Sequence, residues 1–171
     1  ILPTFNEADN IVSLVSKIMM IMEKNLSEFE IIVVDDNSKD GTANLVKMNF
    51  KDFSHIKILQ RFRNFGLSEA VIDAAMIAQK DYILVMDADG QHDPSYLPIF
   101  ISEIDADNEL IIGTRHLERK NFPEKWSFGR KIASQIGDLL AQLVISVKCS
   151  DPMSGFFALK KDLFLKNIKN L

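Results

Sequence analysis

The sequence predicts a mainly parallel α/β sheet with helices on both faces, built as one domain. Three observations carry that prediction. Apolar, often β-branched runs alternate with stretches of helical spacing in the order β-α-β-α-β-α-β-α-β. Each run ends in a short polar turn rich in Asp, Asn and Gly. The composition, 47% hydrophobic and 26% charged over 171 residues, lets a single domain bury a sizeable core. Right-handed crossovers set every strand-to-helix turn at one edge of such a sheet. The turns at Asp35-Asp36, Asp87-Ala88-Asp89 and Gly113-Thr114-Arg115 are therefore expected to be neighbours in space.

The chain opens with Ile1-Leu2-Pro3, which reads as the tail of a strand. Asn6 is placed to cap a helix carrying Glu7 and Asp9 in its first turn and Ile11, Leu14, Val15, Ile18 and Met22 on one face. Residues 29–34 end in four β-branched side chains, as a buried strand does. The turn 37–41 leads into a helix over 42–50, a short strand over 56–59, and an alanine-rich helix over 67–79. An apolar strand over 82–86 follows, then a helix near 96–104 introduced by Pro94, and a strand at Leu110-Ile111-Ile112. The charged stretch 116–127, with Pro123, reads as a mobile loop. Residues 128–147 form an amphipathic helix with Arg130, Lys131 and Asp138, too polar to span a bilayer and suited either to a core or to a membrane interface. A turn at 151–155, a strand over 156–159 and a partial helix from Lys161 complete the chain, whose ends both look cut.

A net charge of −4 argues against a nucleic-acid-binding face. The one cysteine, Cys149, excludes an internal disulfide and fits a reducing compartment. Nothing resembles a signal peptide or a membrane-spanning run.

The stretch with the most chemistry is Asp87-Ala88-Asp89-Gly90-Gln91-His92. It gathers oxygen ligands where a buried strand surfaces, and Mg²⁺ or Mn²⁺ takes such carboxylates together with substrate phosphates. A plain polar strand-to-helix turn uses the same residue types, and this stretch alone leaves both readings open.

Four motifs stand out: Pro3-Thr4-Phe5-Asn6-Glu7, Val34-Asp35-Asp36-Asn37-Ser38-Lys39-Asp40-Gly41-Thr42, Met86-Asp87-Ala88-Asp89-Gly90-Gln91-His92 and Asp151-Pro152-Met153-Ser154-Gly155-Phe156-Phe157. Together they resemble the inverting glycosyltransferases of the A fold, most closely the dolichol-phosphate mannosyltransferases. The resemblance implies a Rossmann-like nucleotide-diphospho-sugar transferase domain that moves mannose from GDP-mannose to a polyprenyl (dolichyl) phosphate, with inversion, at the cytoplasmic face of a membrane. In it, Pro3, Phe5 and Glu7 would wall the base and ribose, Val34 would lie along the base, and Asp36 would accept from the guanine N–H groups. Phe5 stands where many relatives carry tyrosine, so stacking survives without the phenol's hydrogen bond. Asp87, Ala88, Asp89 and Gln91 would form the sugar-nucleotide and metal site, with Asp89 and Gln91 the direct ligands and Asp87 either pointing to the ribose or sugar or reaching the metal through water. Arg115 and Arg130 match positions that bind phosphate, which planar guanidinium suits. A lipid phosphate is already largely ionised near neutral pH, so no general base is needed. Transfer from UDP-glucose or another sugar nucleotide, and a non-catalytic sugar-nucleotide-binding module, are the alternatives. A nucleotidyltransferase would be expected to carry a Gly- and Lys-rich phosphate loop, which Pro3-Thr4-Phe5-Asn6-Glu7 lacks.

Overall fold

A computed structural model of the chain describes residues 1–26, 28–63, 65–114, 151 and 154–168. The elements run β1 (Leu2–Thr4), α1 (Ile11–Asn25), β2 (Ile31–Asp35), α2 (Thr42–Asn49), β3 (Ile56–Gln60), α3 (Leu67–Ile77) and β4 (Tyr82–Val85). A 3₁₀ turn (Pro94–Tyr96) then leads into α4 (Leu97–Asp105), followed by β5 (Leu110–Ile112), β6 (Phe157–Lys160) and α5 (Lys161–Ile168).

β1, β2 and β3 pair in parallel, with β2 central. β6 lies between β4 and β5 and runs antiparallel to both. The two groups meet at β1 and β4. There Ile1 N donates to Leu84 O at 2.7 Å and Met86 N donates to Ile1 O at 3.1 Å, the pattern of a parallel ladder. The strand order is thus β3-β2-β1-β4-β6-β5. The expected mainly parallel sheet is present, with one reversed strand inserted beside β4.

All five residues of β2 are buried, and their side chains alternate between two apolar layers. Ile31 and Val33 join Val15, Ile18, Val46, Met86 and Phe100 on the face covered by α1, α2 and α4. Ile32 and Val34 meet Ala70 and Ala74 of α3 on the other. The small side chains of α3 let its axis approach the sheet closely, and each fully buried Val or Ile contributes roughly 1.5–3 kcal/mol of apolar transfer.

The start of α1 differs from the sequence expectation. The helix begins at Ile11, because Asn6 sits at φ 57° and its side chain is committed elsewhere: Oδ1 accepts from Lys39 N at 3.0 Å. Residues 7–10 form a separate turn in which Glu7 O accepts from both Asn10 N and Ile11 N. The expected mobile loop at 116–127 and amphipathic helix at 128–147 lie outside the described residues. Among the described residues no helix is long and apolar enough to cross a membrane.

Candidate active site

The carboxyl ends of β1, β2, β4 and β5, and the segment entering the reversed β6, lie along one edge of the sheet, where ligands of open α/β sheets collect. The first two motifs are sewn together there. Asn6 N donates to Ser38 Oγ at 2.8 Å, Glu7 N to Thr42 Oγ1 at 2.9 Å and Ala8 N to Asp40 Oδ2 at 2.9 Å. Asp40 Oδ1 also accepts from Thr42 N at 3.0 Å and Thr42 Oγ1 at 2.6 Å. Desolvation pulls the Asp40 carboxyl upward, but the hydrogen bonds from Thr42 and Ala8 outweigh it and hold the group below its ordinary value.

Pro3 is half-buried opposite Val34 in the β1–β2 ladder, and Phe5 projects just beyond β1 with 63% of its surface exposed. Glu7 is half-buried, its Oε2 taking Asn10 Nδ2 at 3.1 Å. Val34 has no exposed surface: its side chain packs under β2, and its carbonyl accepts the Thr4 hydroxyl at 3.0 Å. The expectation that Val34 lies along a base therefore holds no side-chain surface at this edge, because β2 is interior and turns that residue into the α3 layer.

Asp35 is fully buried. Its Oδ2 accepts from Ser38 N at 3.1 Å, whereas Oδ1 meets no hydrogen-bond donor among the described residues. Asp36 is held on both oxygens, Oδ1 by Arg61 Nη1 at 2.6 Å and Oδ2 by Gly66 N at 2.9 Å, and its side chain is 12% exposed.

At the end of β4, Asp87 is partly exposed, Ala88 is buried, and Asp89 and Gln91 present their side chains to solvent. Asp89 Oδ1 accepts from Gln91 N at 2.9 Å, closing a tight turn across Gly90, whose φ of 77° suits glycine. His92 turns back beneath the loop. Its Nδ1 accepts from Asp87 N at 3.3 Å, and its ring stacks on Phe156 with centroids 5.3 Å apart. Phe156 stacks in turn on Phe100 at 4.3 Å, and its carbonyl accepts from Gly113 N at 2.8 Å. The turns of β4 and β5 and the segment entering β6 are thus locked to one another.

The fourth motif acquires a physical role here. A Cβ built on Gly155 would lie 2.6 Å from Asp87 Cγ and 2.7 Å from Asp87 Oδ1, so the carboxylate rests directly on the glycine backbone. Ser154 is buried and its Oγ accepts from Phe156 N at 3.2 Å, shaping that approach. Gly155, Phe156 and Arg61 make contacts at this edge that reading the motifs did not assign. Arg61 had one visible signal, a charged residue two positions beyond the short strand over 56–59.

The donors at this edge are carboxylate and carboxamide oxygens, the set that suits Mg²⁺ or Mn²⁺. No group of three or more His, Cys, Asp or Glu is gathered to hold an ion among the described residues. A cation here would need oxygens from a bound phosphate as well, which is the usual way Mg²⁺ binds. Arg115 and Arg130 lie outside the described residues.

Known proteins resemble this chain in sequence and in fold. The chain is 35% identical over 167 residues to a dolichol-phosphate mannosyltransferase of Pyrococcus furiosus, a match covering 95% of this chain and 46% of that protein. It is 33% identical over 168 residues to a dolichol-phosphate mannosyltransferase of Mycosarcoma maydis, covering 96% and 56%. The chain thus spans about half the length of these curated relatives. The glucosyl-3-phosphoglycerate synthase of Mycobacterium tuberculosis, solved with Mn²⁺, UDP-glucose and phosphoglyceric acid, superposes with a TM-score of 0.67. That match is 18% identical and covers 95% of this chain and 55% of the solved one, a likeness of fold that agrees with the expected A-type architecture. A model of one family, Glycosyl transferase family 2, matches residues 1–167, and the chain belongs to that family.

Proposed function

We propose that this chain forms the catalytic centre of a transferase that moves mannose from GDP-mannose to a polyprenyl (dolichyl) phosphate, inverting the anomeric carbon. The observation that carries the reading is the seating of Asp87 against Gly155, with Asp89 and Gln91 on the same turn, at the edge that also holds Asp36. The names of its relatives supply the donor and acceptor class.

In this mechanism Asp36 accepts from the guanine edge, while Pro3, Phe5 and Glu7 wall the base and ribose. Asp89 and Gln91 would hold a divalent cation, Mg²⁺ or Mn²⁺, and Asp87 with Ala88 would border the sugar. The cation, when bound, supplies positive charge against the charge that builds on the departing diphosphate. An oxygen of the lipid phosphate forms the new bond to the anomeric carbon as the bond to the diphosphate breaks, and GDP leaves. The acceptor enters already anionic, so the protein's remaining task is to bring two anions together. Arg115 and Arg130 are assigned that task, on the resemblance alone. A lipid acceptor sets the centre at a membrane surface, which we read as the cytoplasmic face because the lone cysteine fits a reducing compartment.

Thermal unfolding with GDP, GDP-mannose or UDP, with and without Mn²⁺, tests the proposal. Ligand at about a hundred times its Kd adds roughly 2.7 kcal/mol, a shift of several degrees for a domain of this size. GDP is expected to protect more with Mn²⁺ present, and Asp89→Ala to lose that metal-dependent increment. Protection by UDP and none by GDP would reassign the donor; tight binding of sugar nucleotide without transfer to a polyprenyl phosphate would leave only a binding module.

A further inference from the structure

Arg61 lies beside the proposed base-reading carboxylate, and its surroundings are unusual for a surface ion pair. The β3 ladder ends with Arg61 N donating to Asp35 O at 2.8 Å, which puts the arginine next to Asp36. Its side chain is 4% exposed. Nη1 donates to Asp36 Oδ1 at 2.6 Å and to Gly66 O at 3.2 Å, and Nε donates to Asp73 Oδ2 at 2.8 Å. Gly66 N closes the circuit on Asp36 Oδ2. One guanidinium therefore joins the end of β2, the loop before α3 and the first turns of α3 itself.

Burying a guanidinium is a poor route to stability, because desolvation offsets much of the attraction, and an aliphatic side chain would serve a core position as well. What the arrangement does provide is direction. Asp36 is gripped on both oxygens by partners that are themselves fixed, so its carboxylate has one orientation, and the lone pairs left over point away from Arg61 and Gly66. Lysine cannot reproduce this, since one ammonium cannot present the planar fork that reaches two carboxylates from separate nitrogens.

We propose that Arg61 is the positioning residue of Asp36, anchored from behind by Asp73, and that this clamp sets how sharply the site tells guanine from other bases. The proposal rests on the reading of Asp36 as the acceptor of the guanine N–H groups.

The experiment measures binding of GDP and of inosine diphosphate, which lacks only the guanine amino group, by calorimetry with Mn²⁺ present. The wild-type protein is expected to prefer GDP by at least about tenfold, because a site built to accept from a donor rejects a ligand without it. In Arg61→Lys, GDP affinity is expected to fall roughly tenfold or more while inosine diphosphate affinity changes little, so the preference collapses toward unity. Asp73→Asn, at a residue whose side chain is 52% exposed, is expected to move the ratio in the same direction by less, and it carries the test alone if Arg61→Lys fails to fold. A merely structural role would weaken both nucleotides alike. Retention of the full GDP preference in the folded variants overturns the clamp. Absence of any preference in the wild-type protein instead overturns the base-reading role of Asp36, and the clamp with it.

Discussion

At the scale of single residues, the most consequential contact is made by a residue with no side chain. Gly155 leaves room for the Asp87 carboxylate against the backbone, and any Cβ there displaces it. Gly155→Ala is expected to keep the fold but lower kcat/KM for transfer by about a hundredfold, the scale of a 1 Å misplacement of a substrate-positioning group. Steady-state kinetics beside a melting curve would check this, and wild-type turnover in the alanine variant would remove Gly155 from the site. The sequence marked the motif containing Gly155 but not its purpose, because a glycine's role lies in what its neighbour occupies. Arg61 was hidden for a related reason: it is twenty-five residues from Asp36, and only the pairing of β2 with β3 brings them together. Asp87, Asp89 and Gln91, by contrast, lie on the single turn in which their spacing grouped them.

At the scale of elements, the strands and helices among the described residues were read from sequence nearly to their ends, because apolar period and Gly or Pro punctuation are local signals. The beginning of α1 was not. Asn6 has the chemistry of a cap, but capping competes with a tertiary partner 33 residues away, Lys39 N, and the partner prevails. The direction and place of β6 were equally invisible, since they depend on pairing with β4 and β5 rather than on residues within it. The bonds between the turns after β1 and β2 give an element-scale prediction. Asp40→Ala is expected to destabilise the protein by about 1 kcal/mol near neutral pH, lowering the melting temperature by a few degrees. Asp40 titrates below its ordinary value in the fold, so the unfolded chain takes up its proton first as the solution is acidified. Its contribution is complete above the ordinary carboxylate value and is lost as pH falls toward the folded one. The gap between wild type and Asp40→Ala should therefore narrow in acid; a gap independent of pH would mean that the carboxylate's charge is not what holds the turns.

At the scale of the whole molecule, the sheet divides the work. β1 and β2 carry, in or just beyond their carboxyl ends, the residues assigned to the nucleotide base, and β4 with the approach to β6 carries those assigned to cation and sugar. β2 is buried along its full length, whereas β5 is three residues long and begins with the exposed Leu110. Amide hydrogen exchange should accordingly be slowest in β2 and much faster in β5, and equal protection of the two would contradict this gradient of local stability. The reversed β6 also orders events in time. As the chain leaves the ribosome, the strands and loop that fix Asp36 are complete once α3 has emerged, while Asp87 waits for Gly155, near the far end of this stretch, to arrive beside it. A nascent chain halted between those points would hold the residues assigned to the base and still lack the glycine that seats Asp87.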